Sequence, residues 1–171
     1  MSTFGIELEV HIASLRRYAR ALVRNRSDAD DLLQEALARA LSRADKFMAG
    51  TNLRAWLFTI MHNVHVNQVR GRASRPAEVS VDDVAEVRLS QPASQETRVE
   101  LGEMMRILDG LPNDQRQVLL LVALEGMKYD EVAQVLNVPI GTVMSRLSRA
   151  REAVRQRLAG GAGPATLRRV K

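Results

Sequence analysis

A chain of 171 residues can form one medium domain or two small ones, and its aromatic content of 4% leaves any core to Leu, Val, Ile, Ala and Met, as in helical bundles. The absence of cysteine excludes disulfides, thiolate metal sites and cysteine nucleophiles, and fits a reducing cytosol. A net charge of +5 with a pI near 10.4 favours a polyanionic partner.

No apolar run is long enough to span a bilayer, and Met1 to Glu7 lacks the charged and apolar regions of a signal peptide, so a soluble cytoplasmic protein without membrane insertion is expected. From Ile6 to about Asn25 the spacing of Ile12, Leu15, Ala19, Leu22 and Val23 predicts a helix with Arg16, Arg17, Arg20 and Arg24 around it. A serine cap at Ser27, with acids in the first turn, starts a second helix that Leu32, Leu33, Ala36, Leu37, Ala40 and Leu41 carry to about Ala44. Gln34, Glu35 and Arg39 lie beside that apolar band. The loop from Asp45 to Thr51 exposes Phe47 and Met48 unless something covers them.

A third helix is predicted from Asn52 to about Gly71, with Leu53, Leu57, Ile60 and Val64 as its core stripe and Phe58 and Val69 on a second buried side. Trp56, Thr59, Asn63, Asn67 and Arg70 form another line at spacings of three and four. Asn, Thr and Arg can bond bases or phosphates, and an aromatic ring beside them is a stacking platform for unpaired bases. His62 and His65 lie three apart, but no Cys or carboxylate accompanies them on that face, so a metal site is incomplete. No phosphate loop, serine elbow or paired carboxylates stand out; an enzyme reading has nothing to rest on, and no cofactor is implied.

Residues 73–95 mix Ser, Pro, Ala and acids without sustained period and read as an acidic linker between two basic modules. Helices are predicted from Val99 to Leu108 and, capped by Asn113, from Asp114 to Leu124. Tyr129 to Leu136 reads as a short amphipathic helix and Asn137 to Gly141 as a tight turn; Thr142 then caps a longer basic helix, giving the helix-turn-helix pattern. Asn137 tolerates a left-handed conformation and Pro139 blocks continuation of the first helix. Val143, Leu147, Ala150, Val154 and Leu158 share one stripe of the second helix; Ser145, Ser148, Arg149, Glu152 and Gln156 share the opposite one. Arg149 suits a bidentate pair with guanine, and Arg146, Arg151 and Arg155 suit phosphates. An Arg-rich solvated helix would share the charge, but not the turn, cap and stripe together. Glycines 160, 161 and 163 with Pro164 end the last helix before a basic tail.

Three motifs, in order, carry a resemblance. Asp28-Ala29-Asp30-Asp31-Leu32-Leu33-Gln34-Glu35-Ala36, then Asn52-Leu53-Arg54-Ala55-Trp56-Leu57-Phe58-Thr59-Ile60 with Asn63, and then Gly141 to Glu152 are similar to the clamp-binding, melting and recognition helices of the extracytoplasmic-function sigma factors. The second motif also resembles that of the general-stress branch. The resemblance implies an all-α fold of two small helical domains, over 6–75 and 98–160, joined by a flexible linker over 76–97 and followed by a mobile tail over 161–171. It implies that Asp31, Gln34, Glu35 and Arg39 grip the clamp coiled coil of core RNA polymerase, whose flap is a further contact. Phe47, Met48, Trp56 and Asn63 would hold unpaired minus-ten bases, with Asn67 and Arg70 at the upstream duplex edge. Thr142, Met144, Ser145, Arg146, Ser148, Arg149 and Arg151 would read the minus-thirty-five duplex, Met144 standing where relatives often carry a basic residue. An anti-sigma factor is an implied partner. The alternatives are a stand-alone helix-turn-helix regulator, which leaves the Trp56 to Arg70 line unexplained, and a sigma-like decoy that binds a regulator and could shed its base-reading residues.

Overall fold

The computed structural model describes residues 3–74 and 94–161. Most of the expected linker, over 75–93, and the tail from 162 lie outside the described residues. Regular structure among the described residues is helical throughout: α1 Thr3–Leu22, α2 Arg26–Ser42, a 3-10 turn Ala44–Lys46, α3 Leu53–Ala73, α4 Gln95–Asp109, α5 Asn113–Leu119, a π-helical turn Leu120–Leu124, α6 Tyr129–Leu136 and α7 Ile140–Gly161. None of these helices is long and apolar enough to cross a membrane.

Local chemistry sets the ends, in places differently from expectation. Asn25, not Ser27, caps α2: its Oδ1 accepts from Ser27 N at 2.8 Å and Asp28 N at 3.2 Å, placing Ser27 inside the first turn. Asn52 caps α3 through Ala55 N at 3.0 Å, as its type suggests. Ser94 caps α4, which starts at Gln95, four residues before the expected start at Val99. α5 begins at Asn113 after Pro112, so Asn113 is its first residue and not its cap. α7 begins at Ile140, where the Pro139 carbonyl accepts from Thr142 N and Val143 N; Thr142 is therefore a first-turn residue and not a cap. The α6 bounds coincide with the expected ones, and Asn137 has φ 52° in the turn that follows.

In the N-terminal half, α1, α2 and α3 close around Leu15, Tyr18, Leu32, Phe58, Met61 and Val64, all fully buried, with the Tyr18 and Phe58 rings edge to face at 5.3 Å. Val69, expected on a buried side, is exposed, and so is Leu41. In the C-terminal half, Ile107, Leu111, Val118, Leu121, Val132, Leu136 and Leu147 are buried, as the apolar pattern implies. The α7 stripe outruns this core, leaving Leu158 exposed. Arg157 closes the other end of the module by donating to the Ile107 carbonyl at 2.7 Å and the Gly110 carbonyl at 2.8 Å. Gly110 accommodates that guanidinium: a Cβ there would sit 2.3 Å from Arg157 Nη1.

The halves pack against each other, with α3 on α6 and α1 on the π-helical turn. Their contact centres on Glu125, whose side chain has no exposure. Its carboxylate accepts from Arg17 at 2.9 and 3.0 Å, from Arg54 at 3.1 Å and from the Ser14 hydroxyl, while Arg54 also reaches the Glu125 carbonyl. A charge so placed is tolerated only because several donors replace its water. Around it, Asn52 Nδ2 donates to Glu131 at 2.7 Å, Arg116 donates to the Leu22 carbonyl at 3.1 Å, Arg24 pairs with Asp109 at 3.1 Å, and His65 lies 3.3 Å from Asn113 Oδ1. Arg24 is largely exposed although Asp109 is mostly covered, so water screens this pair; the fully buried Glu125 carboxylate is the group whose loss matters. Burial, with Glu125 nearby, pushes the Tyr18 hydroxyl pKa upward.

Two predictions follow from this junction. Glu125→Gln removes the charge that both arginines answer, so stability should fall by roughly 1–3 kcal/mol, less than for a wholly buried pair because both arginines retain water. Small-angle scattering should show a larger radius of gyration at unchanged helical circular dichroism; an unchanged radius would mean that Glu125 does not hold the halves together. The second concerns pH. His11, His62 and His65, the chain's three histidines, are all held below their ordinary value of 6.5, in each case chiefly by burial. The folded protein thus keeps them neutral at a pH where the unfolded chain takes up protons. Stability should be full above about pH 6.5 and decline below it, so the urea midpoint should be lower at about pH 5.5 than at about pH 7.5.

Candidate nucleic-acid interface

The outer face of α7 is built by the period of its inner one. Val143, Leu147 and Ala150 are buried against α5 and α6, which turns Met144, Ser145, Ser148, Arg149 and Arg151 outward, all exposed. Five of the seven residues expected on the duplex-reading face therefore share one open surface. The other two differ. Thr142 is half-buried in the first turn, and Arg146 is half-buried with its Nε 3.4 Å from Asp114. The charge of Arg146 also reaches His62 on α3, where it helps to lower the imidazole pKa. Ser145 Oγ donates to the Thr142 carbonyl at 3.1 Å, and Met144 stands 54% exposed, an apolar group with no cover.

On α3, Asn63, Asn67 and Arg70 lie exposed along one line. Thr59 leaves that line: it is half-buried and its hydroxyl donates to Ala55 O at 2.8 Å within the same helix. Trp56 is half-buried at the head of the line, 5.4 Å from Phe47 in the preceding loop. Phe47 is half-buried, the cover that the loop lacks by itself coming from Phe4 of α1, which packs 5.9 Å from it and 6.0 Å from Trp56. Met48 remains 72% exposed on the same loop. Arg72 pairs with Asp28 at 2.9 Å and so ties the end of α3 to the start of α2. His62 and His65 belong to the inner side of α3, and the described residues hold no group of three or more metal-ligand side chains.

On α2, Asp31, Glu35 and Arg39 follow one another at spacings of four, with Gln34 alongside. Asp31 and Gln34 are exposed. Glu35 is half-buried and fixed from two sides, by Arg39 Nη2 at 2.5 Å and by Gln68 Nε2 of α3 at 3.0 Å. This surface is therefore referenced to the helix that carries Asn63 and Asn67. Sequence reasoning passed over Arg54, Arg17, Glu125 and Phe4. A carboxylate between Leu124 and Met127, at the end of an apolar run, was the available sign of a buried partner.

Comparison with known proteins agrees with the three motifs. The family pattern described as sigma-70, region 4 matches residues 101–154, and that of the sigma2 domain of PhyR matches residues 8–62. The chain is 42% identical over 140 residues to the ECF RNA polymerase sigma factor EcfG of Rhodopseudomonas palustris, covering 82% of this chain and 76% of the relative. It is 32% identical over 137 residues to the ECF RNA polymerase sigma-E factor of Escherichia coli, covering 74% and 72%. Among solved structures, the sigma factor RpoE of Bartonella quintana, in complex with the anti-sigma factor NepR, superposes with a TM-score of 0.80 at 33% identity, covering 93% of this chain and 98% of that one. An all-helical chain with the two family patterns in order, and such similarity over most of its length, belongs to the extracytoplasmic-function sigma factors, which act with RNA polymerase in transcription initiation.

Proposed function

We propose that this sigma factor docks on the polymerase clamp coiled coil through Asp31, Gln34, Glu35 and Arg39, captures melted minus-ten bases with the Phe47 to Thr51 loop, Trp56 and Asn63, and reads the minus-thirty-five duplex with the outer face of α7. Asn67 and Arg70 meet the duplex edge upstream of the melted bases, and Arg151 serves phosphate. Residues 6–75 and 98–160 act as two functional units, with 76–97 as their tether and the polymerase flap as a contact of the second. The observation that carries this reading is the coexistence in one chain of two exposed polar faces, Asn63, Asn67 and Arg70 on α3 and Ser145, Ser148 and Arg149 on α7, each backed by a buried apolar stripe. A stand-alone duplex reader needs only the second face.

The spacing of the two DNA elements gives polymerase its part. The minus-thirty-five and minus-ten positions are about 25 base pairs apart, which at 3.4 Å per step is roughly 85 Å. In the packed arrangement α3 and α7 are close enough for Arg146 to influence His62. Reading both elements at once requires the halves to separate, and docking on a large enzyme supplies the contacts that fix the span and raise the effective concentration of the second unit once the first is bound. Unpaired bases held in a pocket then favour the open duplex by offsetting an unstacking cost of a few kcal/mol. By similarity to the Bartonella quintana protein, whose structure contains NepR, an anti-sigma factor is the regulator proposed for this chain, acting in the cytoplasm where polymerase works.

Polymerase-dependent run-off transcription tests the reading. Arg149→Ala should weaken promoter binding by about 10- to 100-fold through loss of a base contact, and Asn63→Ala should slow open-complex formation while leaving capture of core polymerase intact. Full transcription by both variants, or failure of core polymerase to retain the wild-type chain in a pull-down, would overturn it.

A further inference from the structure

Three of the chain's four Phe and Trp rings gather at one place, and one of them is foreign to the segments assigned to DNA. The chain has three Phe and one Trp; Phe58 is in the core with Tyr18, while Phe4, Phe47 and Trp56 form a separate cluster at its margin. Phe47 and Trp56 lean together at 53°, leaving a corner between their rings. Phe4 fills it, edge-on to Trp56 at 82° and tilted 49° to Phe47. All three rings remain partly exposed.

We infer that Phe4 is a built-in competitor for the unpaired base: its ring occupies the stacking corner of Phe47 and Trp56 until a base displaces it. The inference rests on the proposed minus-ten reading. Phe4 meets the two rings edge-on and tilted and so denies the corner to a base, which would stack there once the ring leaves because every base offers a π-face. Base stacking on a protein aromatic is generally the stronger of the two contacts, so the exchange runs toward the base when single-stranded DNA is present. The displaced group is also easy to move. Phe4 is the second residue of α1, in the end turn where helices fray, and lies one turn before Leu8, whose burial keeps the rest of the helix in the core while the first turn moves. Meanwhile the plug keeps two aromatic faces from water and raises the threshold for capture, so that a weakly held base does not enter.

Trp56 is the only tryptophan, which makes its fluorescence a direct reporter on the full-length chain. The probe is a mixed-sequence single-stranded DNA of about 12 nucleotides. Phe4→Ala should shift Trp56 emission to the red without DNA and tighten DNA binding by about 2- to 10-fold, the range expected for removing one competing aromatic contact. Phe4→Leu, which keeps an apolar cover and drops the ring, should fall between. Asn63→Ala is the companion variant. If it weakens binding while Phe4→Ala binds as wild type or more weakly, the Phe4 inference falls alone; if it leaves binding unchanged, the minus-ten reading falls and takes the inference with it.

Discussion

A single carboxylate, fully withdrawn from water, joins the two halves of this molecule. Glu125 sits at the end of the π-helical turn and meets Ser14 and Arg17 of α1 and Arg54 of α3, so three donors from the N-terminal half converge on one acceptor from the other. Apolar contacts alone would let α3 slide on α6, because burial of aliphatic surface has no direction. Hydrogen bonds do have direction, and four of them to one group define both position and angle. The neighbouring pairs, Asn52 with Glu131 and His65 with Asn113, cross the same junction.

The packed form presents its surfaces unequally. The α2 stripe is turned outward, and on α3 and α7 the exposed polar faces lie opposite the sides used for packing. Arg146 is occupied by Asp114, and Phe47 and Trp56 by Phe4. In both cases an internal group stands where a DNA group is proposed to go: a carboxylate for a phosphate, a phenyl ring for a base. On the proposed reading, the free molecule satisfies these side chains with chemically similar substitutes, which lowers the penalty of leaving them without that partner.

What the sequence revealed was what short-range chemistry determines. The α6 helix and its Asn137 turn are encoded within about ten residues, by a left-handed-tolerant residue followed by proline, and no distant contact overrides them. The apolar stripes located the cores of both halves for the same reason. Helix starts were less legible where two capping types stood close together: Asn25 and Ser27 both qualify, and only the backbone path decides between them. Thr142 had the right chemistry in the wrong place, since the chain had already become helical at Ile140. The Glu125 cluster was out of reach, because it joins residues 71 to 111 positions apart and no local pattern encodes such a pairing. Phe4 was missed similarly, as one aromatic in a short N-terminal stretch without the loop that it covers.

The π-helical turn has one more consequence. By routing the Glu125 amide to the Leu120 carbonyl, five residues back instead of four, it accommodates one residue more than a regular helix would over the same rise. Losing one residue between Leu120 and Leu124 would let the backbone close into ordinary helix over the same rise and leave Glu125 nearly in place, whereas losing a second would rotate it by about 100°. The stretch can therefore shorten by one residue, and by no more, without taking Glu125 from its donors. A family descended from such a chain should record that allowance as a place where lengths differ by one residue and not by two.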